Sequence, residues 1–376
     1  MTKTAKFLVA PDKFRGSLSA SQAAHAIKMG ILAENKDAQI LEYTLTDGGD
    51  GFVDTISRAK EGSKVIRLKT IDPIGQVLTA KCALLDDNTA LVGLTEASGI
   101  NLISEPDRNP GKLTNIGTGQ ILAKLVERGY KTIIIGVGGS ATNDGGVGLL
   151  MPLGFKFLDK DGKSIVPNGE GILKLEKIVP PEKPVPAKFV VATDVENPLL
   201  GKAGAALGYS RQKGATPEQA KLLEEAMKKL VEVSKKCLGK SEHEAPGAGS
   251  AGGCGYGLIN FLGAKRVSGF ELFSKYTNLE ANIKNSSVVI TGEGKFDYTD
   301  AQGKGPYALA KLAAKYKKPV WIFCGSSEVD EKGLSTMGLS NVKIGQILPL
   351  APNLVEAQNR APKFLSHLAK EFAANL

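Results

Sequence analysis

The sequence has few cysteines, histidines and aromatic residues, and each shortage excludes a class of function. Its 376 residues include four cysteines and three histidines. No cysteines form a C-x-x-C pair and no histidine cluster lies near them, so neither a zinc site nor a disulfide framework is expected. Aromatic residues make up only 6% of the chain and lack the interleaving with basic residues that single-strand binding uses. We therefore expect a reduced chain without a nucleic-acid partner.

Long hydrophobic runs are also missing. No apolar run approaches the roughly 18 residues of a membrane-spanning helix, and Phe7 to Ala10 is too short for the core of a signal peptide. The net charge of +9 results from 48 basic and 39 acidic residues, a mild excess that suits small anionic ligands. These features predict a cytoplasmic protein without a membrane partner that acts on small molecules.

Glycine is in excess, and short apolar runs recur along the chain. The 44 glycines follow no G-X-Y period, so they indicate turns and places where the backbone approaches something closely. Buried strands are predicted at 5–10, 132–137, 188–193, 286–291 and 319–323. Helix-start signals follow several of them, which indicates an α/β fold.

The predicted fold class is α/β, with two α/β domains. One is Rossmann-like, doubly wound and discontinuous in sequence, covering 1–69 and 285–376, and a second α/β domain is inserted at 70–284. Helices are predicted after the capping boxes that begin at Ser19 and Thr216. A terminal helix from Asn353 onward should be kinked or interrupted at Pro362.

A glycine-rich turn follows the strand at 132–137 and precedes another apolar run. Glycines let successive N–H groups converge, and hydroxyl groups beside a helix start can donate to phosphate oxygens. A tight turn with an ordinary helix cap is the alternative. We favour an anion or nucleotide loop, whose candidate residues are Gly138, Gly139, Ser140, Thr142, Asn143 and Asp144.

Two familiar nucleotide-binding patterns are absent or out of context. A Walker A loop requires G-x-x-x-x-G-K-[ST], which the sequence does not contain. Gly247, Gly249 and Gly252 match G-x-G-x-x-G, but no strand precedes them, so the dinucleotide fingerprint lacks its context. Close helix packing or a second phosphate loop explains these glycines better than a dinucleotide site.

Acidic residues stand at strand ends or in glycine-rich turns at four places. They are Asp12, the Asp47 to Gly51 turn, the Asp194 to Pro198 segment and the Gly292 to Asp297 segment. A single Asp after a strand is often a turn former. Several carboxylates beside phosphate loops are what Mg²⁺ with a nucleotide requires, which favours a shared site.

The motifs resemble those of the bacterial glycerate kinases, which phosphorylate D-glycerate with ATP. The family run G-G-S-A-T-N-D-G-G is present unchanged at Gly138 to Gly146, and other matches cover nearly the whole chain. They include Asp12, Glu96 to Gly99, Gly117 to Gly119, Asp194, Gln212 to Ala215, Pro246 to Gly249, Thr291 to Gly294 and Asp297. The resemblance implies a two-domain kinase with its active site in the interdomain cleft, using ATP and Mg²⁺.

Roles for individual residues follow as hypotheses. We assign the 138–146 loop, with Gly292 and Glu293, to ATP, and Asp194 and Asp297 to Mg²⁺ or to the hydroxyl proton of glycerate. A further metal candidate is Asp47. The cationic candidates for the substrate carboxylate or the transferring phosphoryl group are Arg15 and Lys304. Arg15 stands where the family usually has lysine and can bind an anion through two parallel N–H groups.

The sequence leaves several alternatives open. Bacterial members of this family commonly produce 2-phosphoglycerate, which we favour over the 3-phospho isomer. A kinase for another small hydroxy acid or sugar, an NAD(P)-dependent oxidoreductase and a non-catalytic nucleotide-binding module are the rival functions. The oligomeric state is also open, with a homodimer as one option.

Overall fold

The computed structural model describes residues 4–46, 48–298, 301, 305–339 and 341–376. The chain divides into two compact units. Unit 1 consists of Met1–Thr46 and Phe273–Leu376, and unit 2 is the continuous segment Asp47–Leu272. A discontinuous first unit with an inserted second unit is the organisation that the sequence predicts.

The strands are short, and most are apolar. They are β1 Lys6–Val9, β2 Gln39–Glu42, β3 Lys64–Ile71, β4 Val77–Leu84, β5 Thr89–Gly93, β6 Thr132–Gly136, β7 Lys156–Leu158, β8 Lys177–Val179, β9 Lys188–Ala192, β10 Lys265–Val267, β11 Val288–Phe296, β12 Val320–Ser327 and β13 Val342–Gln346. All five strands predicted from apolar runs are present, as β1, β6, β9, β11 and β12.

The helices range from single turns to six turns. They are α1 Ala20–Glu34, α2 Phe52–Ala59, α3 Thr95–Ser98, α4 Ile116–Glu127, α5 Val147–Leu150, α6 Gly169–Ile172, α7 Pro217–Leu238, α8 Ser250–Tyr256, α9 Gly269–Tyr276, α10 Leu279–Asn285, α11 Gly305–Lys315, α12 Glu331–Thr336, α13 Leu354–Asn359 and α14 Ala361–Ala374. In the part of the chain that the structure describes, no helix is both long and apolar enough to cross a membrane.

Unit 1 contains a five-stranded sheet in which every pair of neighbours is parallel. The strand order is β13-β12-β11-β1-β2, which is the order 2-1-3-4-5 of one doubly wound fold. Because parallel sheets are covered by helices on both faces, their strands are apolar throughout, as the buried Phe7, Leu8 and Val9 of β1 are. The winding direction reverses between β1 and β11.

Helices α1 and α14 pack against each other and against one face of this sheet. The capping box at the start of α1 is confirmed, because the Ser19 side chain accepts from Gln22 N and the Gln22 side chain accepts from Ser19 N. The predicted terminal helix is interrupted, as α13 ends at Asn359 and α14 begins at Ala361 with Pro362 in its first turn. Proline is tolerated there because its missing N–H has no helical acceptor.

Unit 2 contains a six-stranded mixed sheet in the order β10-β9-β6-β5-β4-β3. Strands β10, β9, β6 and β5 are parallel neighbours, while β4 and β3 are antiparallel additions. Helix α7 begins at the Thr216 capping box and ends at Gly239 in the left-handed conformation, where glycine has no steric penalty.

The junctions between the units lie earlier in the chain than the sequence predicts. The predicted boundaries are 69/70 and 284/285, whereas the observed ones are 46/47 and 272/273. Strand β3 accounts for the first difference, because it pairs along its whole length with β4 in the sheet of unit 2. The second junction lies within α9, where composition gives no signal of a boundary.

A Gly30→Ala substitution tests the packing of α1 on α14. A Cβ at Gly30 would lie 2.1 Å from the Ser366 carbonyl oxygen of α14. On an open helix surface this change would stabilise the protein by about 1 kcal/mol, because alanine is the better helix former. We expect it instead to lower the free energy of unfolding by about 1–3 kcal/mol, because the two helices must separate.

The measurement is urea denaturation followed by circular dichroism. Met29→Ala, on the exposed side of the same helix, is the control and should change stability by less than about 0.5 kcal/mol. Stabilisation by Gly30→Ala would show that the two helices are not in close contact.

Candidate active site

Four parallel strands of unit 2 end in one row. Gly93, Gly136, Ala192 and Val267 are register partners across β5, β6, β9 and β10. In open α/β sheets, ligands bind beyond the carboxyl ends of the strands. The segments that follow this row contain the Gly138 to Gly146 loop after β6 and Asp194 after β9, so the fold brings these two predicted features to the same edge.

The loop after β6 is exposed at its start and buried afterwards. Gly138 is half-buried and Gly139 is exposed, whereas every residue from Ser140 to Gly146 is buried. Ser140 retains 4% exposure, and Thr142, Asn143 and Asp144 retain none. Most of the polar side chains of this loop therefore face the protein interior, and their contact with ATP stays a prediction.

The Asp144 carboxylate is bonded to the chain that precedes α4. Its Oδ2 accepts from Asn115 N at 3.0 Å, and its Oδ1 accepts from Asn115 Nδ2 at 2.8 Å and from Gly146 N at 3.0 Å. Thr142 Oγ1 donates to Asn115 Oδ1 at 3.0 Å. Asn115 thus connects the side chains of Thr142 and Asp144, and the three side chains together fix the shape of the loop.

Burial changes the acid–base properties of this network. It raises the pKa of Asp144 to about 6, against the lowering effect of its hydrogen bonds from Asn115 and Gly146. Cys254 lies next to the network, with its Sγ 2.7 Å from Asn115 Nδ2. Burial, with a smaller contribution from Asp144, raises the pKa of the Cys254 thiol. Near neutral pH the network therefore contains an ionised carboxylate beside a neutral thiol.

A buried lysine supports the same loop from another side. Lys213 is 6% exposed, and its Nζ donates to Ser140 Oγ at 2.6 Å and to the Thr142 carbonyl oxygen at 2.7 Å. Burial lowers the pKa of Lys213 to about 8, and Cys254 and Asp144 act in the opposite direction. At neutral pH the lysine remains mostly protonated and holds two residues of the loop.

Of the glycines at 247–252, Gly252 packs against this loop and Gly249 packs against the segment after Asp194. A Cβ at Gly252 would lie 2.0 Å from the Thr142 carbonyl oxygen, and one at Gly249 would lie 2.1 Å from the Pro198 carbonyl oxygen. Gly145 N donates to the Gly252 carbonyl oxygen at 3.0 Å. Gly249 and Gly252 therefore allow close backbone packing at the start of α8, where the sequence predicts close helix packing or a second phosphate loop.

The acidic turn before α2 reaches the same edge. Gly138 N donates to the Gly48 carbonyl oxygen at 3.1 Å, and a Cβ at Gly48 would lie 2.5 Å from the Ala192 carbonyl oxygen. The exposed Asp50 accepts a long hydrogen bond from Asn101 Nδ2 at 3.5 Å. Asp47, the predicted metal ligand in this turn, lies outside the described residues.

Asp194 is oriented by the start of α9. The Ser268 hydroxyl donates to Asp194 Oδ1 at 2.5 Å, and Phe270 N donates to Asp194 Oδ2 at 3.2 Å. Ser268 also caps the helix, since its Oγ accepts from Glu271 N at 3.1 Å. A carboxylate at a helix N-terminus is stabilised by the helix dipole. Asp194 is therefore held in a fixed orientation, half-buried, at the strand edge.

Unit 1 presents a second edge just beyond the end of β1, beside Thr291 to Glu293 of β11. Asp12 N donates to the Gly292 carbonyl oxygen at 2.8 Å, and Thr291 Oγ1 donates to the Ala10 carbonyl oxygen at 2.8 Å. Glu293 is 9% exposed on β11. This edge is the point where the winding of the sheet reverses, which is the usual ligand position in such folds.

Two further predicted residues of unit 1, Arg15 and Asp297, lie near β11. Arg15 is exposed in the tight turn after Asp12, and its backbone lies against Gly294 of β11. Asp297 is half-buried, and Lys295 Nζ lies 3.7 Å from Asp297 Oδ2 and 2.7 Å from Glu328 Oε1. Lys304 lies outside the described residues. That one active site uses residues of both units stays a prediction.

The donor atoms at these edges suit a hard cation. Within the residues that the structure describes, no three histidine, cysteine, aspartate or glutamate side chains are grouped as for a metal ion. Mg²⁺ bound with a nucleotide commonly uses only one or two carboxylates and takes its other ligands from phosphates and water. The oriented Asp194 carboxylate fits such a role, so the residues present are compatible with Mg²⁺.

Sequence reasoning missed three residues of the site. Asn115 directly precedes α4, a position typical of helix caps, and its bonds to a distant loop leave no local signal. Ser268 resembles an ordinary cap. Lys213 lies within the matched Gln212 to Ala215 motif, but a lysine is rarely buried, and nothing local indicates its contact with Ser140.

Comparison with known proteins gives consistent matches over the full chain. The model of the Glycerate kinase family matches residues 7–376. A protein of Halalkalibacterium halodurans named glycerate kinase is 36% identical, over 97% of this chain and 97% of its own. A protein of Escherichia coli named glycerate 2-kinase is 36% identical, over 99% of this chain and 98% of its own.

A solved structure matches as well. It is a crystal structure, described provisionally as glycerate kinase 2, from Salmonella typhimurium LT2, with a TM-score of 0.76 and 34% identity. The match covers 99% of this chain and 98% of that one. At this identity and coverage, the two-domain α/β fold is shared.

An Asp144→Asn substitution tests the buried network. The amide would place an NH₂ group against N–H donors that now meet carboxylate oxygens. We expect the free energy of unfolding at pH 7.5 to fall by about 2–4 kcal/mol, the cost of unsatisfied buried donors beside a lost charged acceptor.

Urea denaturation measures this change, with the exposed Asp161→Asn as the control. The control removes a carboxylate of the same type from a solvated turn and should stay within about 0.5 kcal/mol of the parent. Equal stability of the two variants would mean that Asp144 does not hold the loop.

Proposed function

The chain belongs to the glycerate kinase family, and we propose that it transfers the γ-phosphoryl group of ATP to a hydroxyl group of D-glycerate. The proposed product is 2-phosphoglycerate in preference to 3-phosphoglycerate. The family model that spans the chain and a relative named glycerate 2-kinase support this assignment. The position of the phosphorylated hydroxyl rests on that relative's name alone.

The observation that carries the proposal is the strand edge in unit 2 at which both the loop after β6 and Asp194 lie. There the half-buried Gly138 and the exposed Gly139 follow β6, and the oriented Asp194 carboxylate follows the neighbouring β9, whose end is paired with that of β6 through Gly136 and Ala192. Phosphoryl transfer needs positioning and charge stabilisation more than covalent catalysis. A main-chain anion site beside a fixed carboxylate supplies both requirements.

The proposed reaction is a direct transfer. The glycerate hydroxyl oxygen bonds to the γ-phosphorus, the bond to the β,γ-bridging oxygen breaks, and ADP leaves with the electron pair. Asp194 or Asp297 accepts the hydroxyl proton. Arg15 and Lys304 bind the glycerate carboxylate or the transferring phosphoryl group, and electrostatic stabilisation of that group is the main catalytic contribution.

The remaining predicted residues bind the co-substrate and its cation. The loop that begins at Gly138 holds the ATP phosphates, with Gly292 and Glu293 as the contribution of unit 1. Mg²⁺, for which Asp194, Asp297 and Asp47 are the proposed ligands, would neutralise charge on the phosphates when bound. The carboxylate that holds the metal and the one that accepts the proton are then different residues.

An ATP-dependent assay with D-glycerate tests the activity. With Mg-ATP and enolase as the coupling enzyme, only the 2-phospho isomer gives a signal, and we expect turnover above about 1 s⁻¹, an ordinary value for a kinase. A parallel assay of ADP formation covers other products. ADP release without an enolase signal would contradict the 2-phospho assignment.

The acceptor is tested in the same assay by replacing D-glycerate. L-glycerate, lactate, tartronate and glycerol should each give kcat/KM at least about tenfold lower. A better substrate among small hydroxy acids or sugars would make the chain a kinase for that acceptor. No ADP from any acceptor, together with measurable ATP binding, would leave a nucleotide-binding protein and overturn the proposal.

An Asp194→Asn substitution tests the carboxylate at the shared edge. The amide keeps the size of the side chain but removes its charge and its ability to accept a proton. We expect kcat to fall by at least about 100-fold, the usual contribution of a general base or a charged ligand. The exposed Asp87→Asn is the control and should leave kcat unchanged. Near-parent turnover of Asp194→Asn would remove Asp194 from the active site.

A further inference from the structure

Few polar groups of the 138–146 loop remain available to a ligand. Gly138 N, Ala141 N, Asn143 N and Gly145 N all donate to backbone carbonyl oxygens. In contrast, the amides of Gly139, Ser140, Thr142 and Asp144 donate to no residue within the described part of the chain. Those of Gly139 and Ser140 are consecutive and lie at the exposed end of the loop, where backbone donors can converge on an anion.

The Ser140 hydroxyl lies at the same end and has a fixed hydrogen-bonding direction. An ammonium group has only donors, so the 2.6 Å contact with Lys213 Nζ makes Ser140 Oγ the acceptor. Ser140 must therefore direct its own proton elsewhere. Among the described residues, no acceptor receives this proton, although the side chain is only 4% exposed. A nearly buried donor without an acceptor destabilises the protein unless a ligand or a water molecule accepts its hydrogen bond.

The position of Lys213 makes this arrangement rigid. Its second donor is bonded to the Thr142 carbonyl oxygen at 2.7 Å, so the ammonium spans the loop on both sides of Ala141. Among the residues that the structure describes, Lys213 forms no ion pair. A lysine that served only to neutralise a carboxylate would contact that carboxylate directly.

We propose that Lys213 is a positioning residue which forces the Ser140 hydroxyl to donate, together with the amides of Gly139 and Ser140, to an anionic oxygen of a substrate. The inference rests on the proposed function and specifies which atoms of the loop bind. The Thr142 and Asp144 side chains of the loop then act from inside, as supports.

Asp50 indicates which substrate supplies the anionic oxygen. Its Oδ1 lies 3.7 Å from the position of a Cβ on Gly139, so a carboxylate stands beside the proposed donors. A bare anion would be repelled there, whereas a phosphate that carries a divalent cation would not. The site therefore fits a phosphate of Mg-ATP better than the carboxylate of glycerate.

A Ser140→Ala substitution removes the proposed donor. Isothermal titration calorimetry should show Mg-ATP binding weakened by about 10- to 100-fold, the usual effect of losing a hydrogen bond to a charged group. D-glycerate binding is measured separately and should change less than twofold. Weakening of glycerate alone would assign the donors to its carboxylate and contradict the phosphate assignment. Unchanged affinity for both would overturn the proposal.

A double-mutant cycle tests whether Lys213 acts through Ser140. Lys213→Met should weaken Mg-ATP binding to a similar extent, and the double variant Ser140→Ala/Lys213→Met should bind no more than about twofold more weakly than either single variant. The exposed Lys221→Met is the control for a lost lysine charge. Fully additive losses in the double variant would show that Lys213 has only a general structural role.

The pH dependence supplies a readout that does not require Lys213→Met to fold. The groups acting on the ammonium are Asp144, before α5, and the Cys254 thiol of α8. Because the pKa of Lys213 is about 8, a neutral amine above this pH can accept from Ser140 and turn the hydroxyl inward. Mg-ATP affinity should fall above pH 8 in the parent, and this fall should be absent in Ser140→Ala. Identical profiles would overturn the proposal.

These outcomes are separable from failure of the proposed function. The binding experiments need no turnover, so an inactive parent protein that still binds Mg-ATP would overturn the glycerate kinase activity and leave the Lys213–Ser140 arrangement to be judged by calorimetry. An active parent protein whose Ser140→Ala variant has unchanged affinities would support the glycerate kinase activity and overturn the Lys213–Ser140 proposal.

Discussion

The structure of the strand edge in unit 2 depends on one buried carboxylate. Asp144 has no exposed surface, and the three hydrogen bonds from Asn115 and Gly146 fix both of its oxygens. A buried charge is tolerated only when its acceptor sites are satisfied, so the loop after β6 has little freedom to adopt another conformation. Burial nonetheless raises its pKa to about 6, because desolvation outweighs the lowering effect of the hydrogen bonds.

The buried, hydrogen-bonded Asp144 divides the loop into two parts with different roles. The Thr142 and Asp144 side chains face the interior and hold the turn, whereas Gly138 and Gly139 reach solvent and Ser140 lies between the two parts. Fixed donors cost no reorganisation when an anion binds, which is how electrostatic preorganisation contributes to catalysis. Within this motif, the Thr142 and Asp144 side chains thus support a short stretch of backbone.

Glycines make this compact arrangement possible. Gly252 allows the chain at α8 to touch the Thr142 carbonyl oxygen, and Gly117 lets α4 approach the Ile71 carbonyl oxygen, which would lie 1.8 Å from a Cβ there. At these positions even a methyl group would displace a backbone. The high glycine content of the chain thus reflects close packing around the site as well as the turns themselves.

Features with local causes could be predicted from the sequence. The capping boxes at Ser19 and Thr216 and the interruption near Pro362 follow from nearby residues, and the structure confirms them. The apolar runs likewise gave the central strands. The α/β class and the family resemblance are confirmed by the sheets and by the comparisons.

What the sequence could not supply comes from contacts between distant segments. Thr142 and Asp144 have the composition of ligand-binding residues, and their burial depends on Asn115, which lies in another part of the chain. The role of Lys213 likewise depends on its contact with Ser140, seventy-three positions away. The first unit boundary depended on β3 pairing with β4, because no composition change marks it. Roles of Asp194, Asp297, Arg15 and the metal ligands stay predictions.

A crystal structure with Mg²⁺, a non-hydrolysable ATP analogue and D-glycerate tests the central claim most directly. The account predicts a phosphate oxygen within about 3.2 Å of Gly139 N and Ser140 Oγ, with Lys213 still bonded to Ser140 and with Asp144 unmoved. A nucleotide bound elsewhere, with no anionic oxygen near Gly139 and Ser140, would contradict it.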